Sequence, residues 1–319
     1  LSKVLVGTGK INFPKDLAEG LMDLAEVTYE SPMDESYFKE LKEADALIAG
    51  METVDDDFLD KAPKLGIVAR FGVGYDSVDV EACTKRGIYV THTPGILSGA
   101  VADLTWGLIL SQMRGIIESD RYVREGWAGR TRSLPLGRDL KGKILGIIGL
   151  GRIGIEVAKR AQGFDVVIVY SDIYRRKDLE ESLGMRYVKL DELLTGSDIV
   201  TIHVPLIPST RHLISSRELK LMKENAIIIN TSRGPVIDQA ALVEALKKGQ
   251  IGGAALDVFE EEPLPAGDEL AGLGYTVLTS HIGSATVETR RKMAEVDAMN
   301  VRAFLEGRTP PNLVPEQRK

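Results

Sequence analysis

Apolar and polar positions alternate along this chain in a repeating unit: a short apolar run, then a longer stretch with helical spacing. Runs at 3–8, 46–49, 66–69 and 88–91 predict strands in the first third, with a helical stretch after Pro14 and another over Val80–Arg86. A helix is predicted over Ala100–Met113, with Val101, Leu104, Leu108 and Leu110 apolar, after a hinge-like PGILSG. The basic, glycine-rich segment 124–143 reads as a loop. The rhythm then resumes, with strands predicted at Ile144–Ile148, Val166–Tyr170, Ile199–His203, Ala226–Asn230, Gly253–Leu256 and Val277–Thr279. The charge run 174–181 predicts a solvated helix start, Asp238–Lys247 a helix stopped by Gly249, and Ser284–Glu306 a long helix stopped by Gly307. Strands that are apolar throughout are buried on both faces, as in parallel sheets covered by helices. The fold class is therefore α/β, with two doubly wound parallel-sheet domains. A chain that leaves one domain, builds a second and returns by a long helix gives a discontinuous first domain, 1–98 with 286–319, and a second at 99–285.

One stretch carries a specific chemical signature. The strand Ile144–Ile148 runs into Gly149-Leu150-Gly151-Arg152-Ile153-Gly154, and a helical pattern with Ile155, Val157, Ala158 and Ala161 on one face follows. A second strand then ends near Asp172, 172 − 154 = 18 residues beyond the last glycine. Gly149 allows the tight turn, Gly151 lets backbone approach a pyrophosphate, and Gly154 lets helix and strand pack closely. Free N–H groups at the helix start attract phosphate charge, and an acid at the second strand end accepts from ribose hydroxyls. A lone G-x-G-x-x-G also occurs as a turn without a ligand. Strand, turn, helix, strand and acid in this order specify a dinucleotide-binding, Rossmann-type unit.

Bulk properties narrow the function further. The 319 residues suffice for about two domains of ~150 residues. A net charge of −7 argues against a nucleic-acid surface, although a local arginine can still bind an anionic substrate. The single cysteine, Cys83, excludes an intrachain disulfide, and no Cys/His spacing suggests a metal site. With no signal peptide and no long apolar run, the expected location is cytoplasmic, away from membranes.

Three further segments follow predicted strand ends, where α/β sheets place ligands: Asn230–Pro235 with Arg233, Asp257–Pro263 with its acidic run, and Ser280–Ser284 with His281. Taken singly, such an arginine serves equally as a surface ion pair, the acidic run as a solvated loop and the histidine as a structural group. Together, beside a dinucleotide unit, they suggest a polarising guanidinium and a carboxylate-tuned imidazole.

Over nearly its full length the chain resembles the NAD(P)-dependent D-isomer-specific 2-hydroxyacid dehydrogenases. The segments that carry the resemblance are GVGYDSVDV (72–80), TPGILSGAVADLTWGLIL (93–110), LGIIGLGRIG (145–154), HVPLIPSTRHLI (203–214), NTSRGPVID (230–238), AALDVFEEEPLP (254–265) and SHIGSAT (280–286). The resemblance implies a smaller, flavodoxin-like substrate domain beside the Rossmann-type one, with the active site in the cleft between them. It assigns catalysis to Arg233, Glu262 and His281, choosing Glu262 over Glu260 and Glu261 because the family's glutamate directly precedes the proline. Main-chain N–H groups of Val73 and Gly74 would hold the substrate carboxylate, together with Arg233 and His281. Thr105, Gly149, Gly151, Arg152, Ile153, Gly154, Asp172, Pro205, Thr210, Thr231, Ser232, Asp257, His281 and Ser284 match positions lining the cofactor, and His203 would contact it without being catalytic. His92, Cys83 and Trp106 are expected to be structural. A homodimer is implied, with the helix after the hinge and the loop around Trp127 packing across a twofold.

The segment Ala102–Trp106 resembles the glyoxylate and hydroxypyruvate reductase branch; the phosphoglycerate branch usually has Glu-His where this chain has Asp103-Leu104. The expected reaction is reduction of a small 2-oxo acid to the D-2-hydroxy acid. The alternatives are another D-2-hydroxyacid dehydrogenase, such as one acting on D-3-phosphoglycerate, or a corepressor-like protein that senses NAD without turnover. Asp172 favours NAD, because a carboxylate repels a 2′-phosphate, while Arg175 and Arg176 leave NADP possible.

Overall fold

The computed structural model describes residues 1–129 and 133–318, and the chain divides into two compact units. Leu1–Leu97 and Ser284–Lys319 form one; Ser98–Gly283 forms the other. The first is built on five strands, β1 (Ser2–Val6), β2 (Ala25–Tyr29), β3 (Ala46–Ala49), β4 (Ile67–Arg70) and β5 (Tyr89–Thr91). All pair in parallel, in the order β2-β1-β3-β4-β5. This is the flavodoxin-like winding, with the chain reversing direction across the sheet between β1 and β3. β3 and β4 are wholly buried, as their apolar sequences require. The helix Val287–Leu305 belongs to this unit. It starts later than its periodicity suggests because Thr286 caps it, its side chain accepting from the Thr289 N–H.

Among the described residues, the second unit holds seven parallel strands: β6 (Ile144–Ile148), β7 (Val167–Ser171), β8 (Arg186–Tyr187), β9 (Ile199–Ile202), β10 (Ile227–Asn230), β11 (Gly253–Leu256) and β12 (Thr276–Leu278). Their order is β12-β11-β10-β9-β6-β7-β8, so the winding reverses between β6 and β9, the crevice where such sheets take dinucleotides. Both faces are covered. One core layer packs Leu193, Leu219, Leu242 and Leu246 against β9 and β10. The other packs Trp106, Ile109, Val157 and Ala161 against β6 and β7. Trp106 is core, as its sequence context suggests: it stacks on Phe164 at 4.2 Å and its indole N–H donates to the Val157 carbonyl. Arg160 ties the helix Arg152–Ala161 to the helix Ser98–Arg114 through Asp103 at 2.6 Å.

The expected loop 124–143 departs from its reading at its start. A helix, Ile116–Arg124, runs into it, a 3₁₀ turn, Trp127–Gly129, forms within it, and residues 130–132 lie outside the described residues. Among the described residues, no helix is long and apolar enough to cross a membrane.

Candidate active site

The glycine turn has the conformation its sequence demands. Gly149 sits at φ +89°, where side chains are strained, and a Cβ there would stand 2.8 Å from the His203 carbonyl. A Cβ on Gly154 would collide with the Gly149 carbonyl, so helix and turn touch only because residue 154 is glycine. Around Gly151 a Cβ would meet nothing, so the turn has an open side at the start of the helix Arg152–Ala161. The first N–H groups of that helix have no intrahelical acceptor. A blocked inner side, an open outer side and free donors fit a dinucleotide pyrophosphate. Asp172 stands beside the turn: its carboxylate accepts from the Leu150 N–H at 2.6 Å and the Tyr174 N–H at 3.0 Å. Arg175 and Arg176 turn to other acids, Glu180 and Asp178 respectively.

Arg233, Glu262 and His281 come from three loops of this same unit, after β10, β11 and β12. Glu262 Oε2 lies 2.6 Å from His281 Nδ1, and Glu262 Oε1 accepts from the Phe259 N–H at 3.0 Å. Burial acts to raise the Glu262 carboxyl. The His281 hydrogen bond and charge, the Phe259 N–H and the Arg233 charge outweigh it and hold the group below the usual carboxylate range. Glu262 is therefore ionised at neutral pH. The stability it contributes is present above the ordinary carboxylate pKa and is lost as pH falls through the lowered value. Close approach of the two loops needs Gly234, where a Cβ would run into the Phe259 carbonyl. His281 itself has φ +55°, a conformation that costs a non-glycine residue about 1–3 kcal/mol and persists only where the surroundings enforce it. Since Glu262 occupies Nδ1, proton donation from His281 falls to Nε2.

The remaining expected positions spread more widely. Thr105 and Thr231 are buried and pair through their hydroxyls at 3.0 Å. Ser232 is held by Asn230. Thr210 donates to the Pro205 carbonyl at 2.6 Å and accepts from the Ile207 N–H, which folds that loop on itself. His203 is buried, bonded to Thr201 at 2.9 Å, and burial pushes its imidazole down to about 3, so it is neutral and no proton donor. Asp257 is buried, with its carboxylate turned onto the loop that carries His281. Val73, Gly74 and Ser284 belong to the other unit. Val73 and Gly74 follow β4, and among the described residues their N–H groups find no protein acceptor. Asn230 was not among the sequence candidates, although a polar residue ending an isoleucine-rich strand just before Arg233 was a readable signal.

Residues 106–283 match the family model for the D-isomer specific 2-hydroxyacid dehydrogenase NAD-binding domain. A glyoxylate reductase of Korarchaeum cryptofilum is 48% identical over 289 residues, covering 90% of this chain and 87% of the relative. One from Thermococcus litoralis is 51% identical over 282 residues, covering 86% and 85%. Among solved structures, a Thermus thermophilus protein superposes with a TM-score of 0.88 at 42% identity, covering 98% of this chain and 99% of its own. An NADPH-dependent glyoxylate/hydroxypyruvate reductase of Sinorhizobium meliloti, in complex with NADP and malonate, does so at 0.87 and 32%, covering 100% and 99%. With its two parallel sheets, its glycine turn and these matches, the chain belongs to the D-isomer specific 2-hydroxyacid dehydrogenases.

Proposed function

We propose that this protein is an NAD(P)H-dependent reductase of glyoxylate and similarly small 2-oxo acids, with Arg233, Glu262 and His281 as its catalytic residues. The observation that carries the reading is the His281–Glu262 pair, held at 2.6 Å with Arg233 close enough for its charge to act on Glu262. The glyoxylate reductase relatives support the substrate class. Bound NADH or NADPH supplies the hydride. Arg233 presents a planar, permanently charged fork that clamps the carboxylate and polarises the neighbouring keto oxygen. His281 donates its Nε2 proton to that oxygen as the carbon is reduced, and Glu262 stabilises the imidazolium before the transfer. NADH oxidation assayed with glyoxylate, hydroxypyruvate and 3-phosphohydroxypyruvate tests the reading. Turnover of the first two is expected; cofactor binding without turnover of any would leave a sensing protein instead.

Removing the charge of Glu262 isolates its role. Glu262→Gln keeps the shape but takes the anion away from the His281 ring it is bonded to, so kcat with glyoxylate should fall. A kcat that stays in place would show that Glu262 does not act on the proton donor.

Asp172 supports NADH over NADPH. A 2′-phosphate brought to this carboxylate meets like charge, and the arginines nearby are already paired with acids. Like-charge juxtaposition costs several kcal/mol, so kcat/KM for NADH should exceed that for NADPH by at least about tenfold. Asp172→Ala should narrow the ratio. Those arginine pairs are exposed and screened by solvent, so a wild-type preference for NADPH would mean that they rearrange to take the phosphate.

A further inference from the structure

We infer that Asn230 and Asp257 are the positioning residues of this site, Asn230 fixing the backbone that carries Arg233 and Asp257 fixing the backbone that carries His281. The inference rests on the catalytic reading proposed above and adds what holds its two charged groups in place. The two residues end β10 and extend β11, adjacent strands, and are joined directly: the Asp257 N–H donates to the Asn230 carbonyl at 2.9 Å. Both are 1% exposed.

The Asn230 amide is used at both ends. Its Nδ2 donates to the Arg233 carbonyl at 2.8 Å, and its Oδ1 accepts from the Ser232 N–H at 3.0 Å and the Ser232 hydroxyl at 2.8 Å. The turn 230–233 is thereby closed on one side chain. Only a group with donor and acceptor on one planar head can do this. The Asp257 carboxylate performs the parallel task on the next loop. Oδ1 accepts from the Thr279 hydroxyl at 2.6 Å and the Ile282 N–H at 2.8 Å, and Oδ2 from the Gly283 N–H at 2.8 Å. Its main-chain carbonyl accepts from the His281 N–H at 2.9 Å. His281 is thus bracketed on both sides by bonds to one residue. This bracketing accounts for the left-handed backbone of His281, since a strained residue stays strained only when its neighbours leave it no alternative. Gly283 fits the same device, because a Cβ there would stand 3.2 Å from Asp257 Oδ2.

Double-mutant cycles test the inference with glyoxylate as substrate. Asn230→Asp keeps the acceptor and shape but removes the donor to the Arg233 carbonyl. Asp257→Asn keeps the shape but turns a donor toward one of the N–H groups it now accepts from. Displacement of a reacting group by about 1 Å costs on the order of 10²-fold, so each variant should lower kcat/KM by about 10- to 100-fold. Asn230→Asp should act mainly on KM for the 2-oxo acid, with NADH affinity by fluorescence unchanged, and Asp257→Asn mainly on kcat. In an Arg233→Ala background Asn230→Asp should cost less than about twofold more, and so should Asp257→Asn in a His281→Ala background, because each acts through a group already gone. Full additive losses in those backgrounds would overturn the assignment and make these residues structural or cofactor-holding. If Asp257→Asn does not fold, Thr279→Val removes a single donor to the carboxylate and should lower kcat severalfold; unchanged kcat would overturn the Asp257 half. If the parent Arg233→Ala and His281→Ala enzymes keep full activity, the catalytic reading itself has failed, and the positioning roles fall with it.

Discussion

His281→Ala should lower kcat by roughly 10²-fold or more, the scale on which a positioned general acid contributes. The keto oxygen becomes an alkoxide as the hydride arrives, and without a proton donor that charge must be met by water. No other histidine of this unit is placed to replace it. His203 is buried and neutral, and His212 is engaged with Glu260. Binding of NADH should survive the substitution, because the glycine turn and Asp172 are untouched. Steady-state kinetics with glyoxylate, paired with NADH titration, checks both halves. Turnover close to that of the wild type would mean that another group supplies the proton.

Arg233→Ala should raise KM for glyoxylate at least tenfold and lower kcat as well. A charge-assisted hydrogen bond is worth roughly 1.5–3 kcal/mol, and about 1.4 kcal/mol already amounts to a factor of ten. Loss of the carboxylate clamp appears in KM; loss of the polarising charge on the keto oxygen appears in kcat. Arg233→Lys should recover little of either, because a point charge on a flexible stem cannot reproduce the planar fork. A variant that loses kcat alone would place Arg233 at the reacting oxygen and leave carboxylate binding to other donors.

Much of this architecture was legible because parallel strands buried on both faces have to be apolar throughout. β6 and β11 fall within their predicted runs, and the glycine turn follows β6 as expected. β2 escaped because it is an edge strand: Glu26, Thr28 and Tyr29 interrupt its apolar pattern, and only Ala25 is fully buried. β8, the opposite edge of the second sheet, has only two residues and no pattern to read. The helix Ile116–Arg124 has no buried residue, so no core-facing stripe announces it.

The site divides along similar lines. Gly149 and Gly154 were readable because turn geometry and close packing dictate glycine locally. The meeting of Glu262 with His281 was not, since nothing in the spacing of two loops says that their side chains converge; family resemblance was needed to select Glu262 from three consecutive acids. Asn230 stayed hidden for a different reason. Its amide serves backbone groups two and three residues away, and a sequence shows which side chains are polar without showing what they hold.

The central claim is that this chain transfers hydride from a nicotinamide to C2 of a 2-oxo acid. The most direct measurement supplies glyoxylate with NADH deuterated at C4 and follows the label. Deuterium at C2 of the glycolate formed, in step with NAD⁺ production, is the result this account expects. NADH left intact, with glyoxylate unreduced at every pH tested, would contradict it.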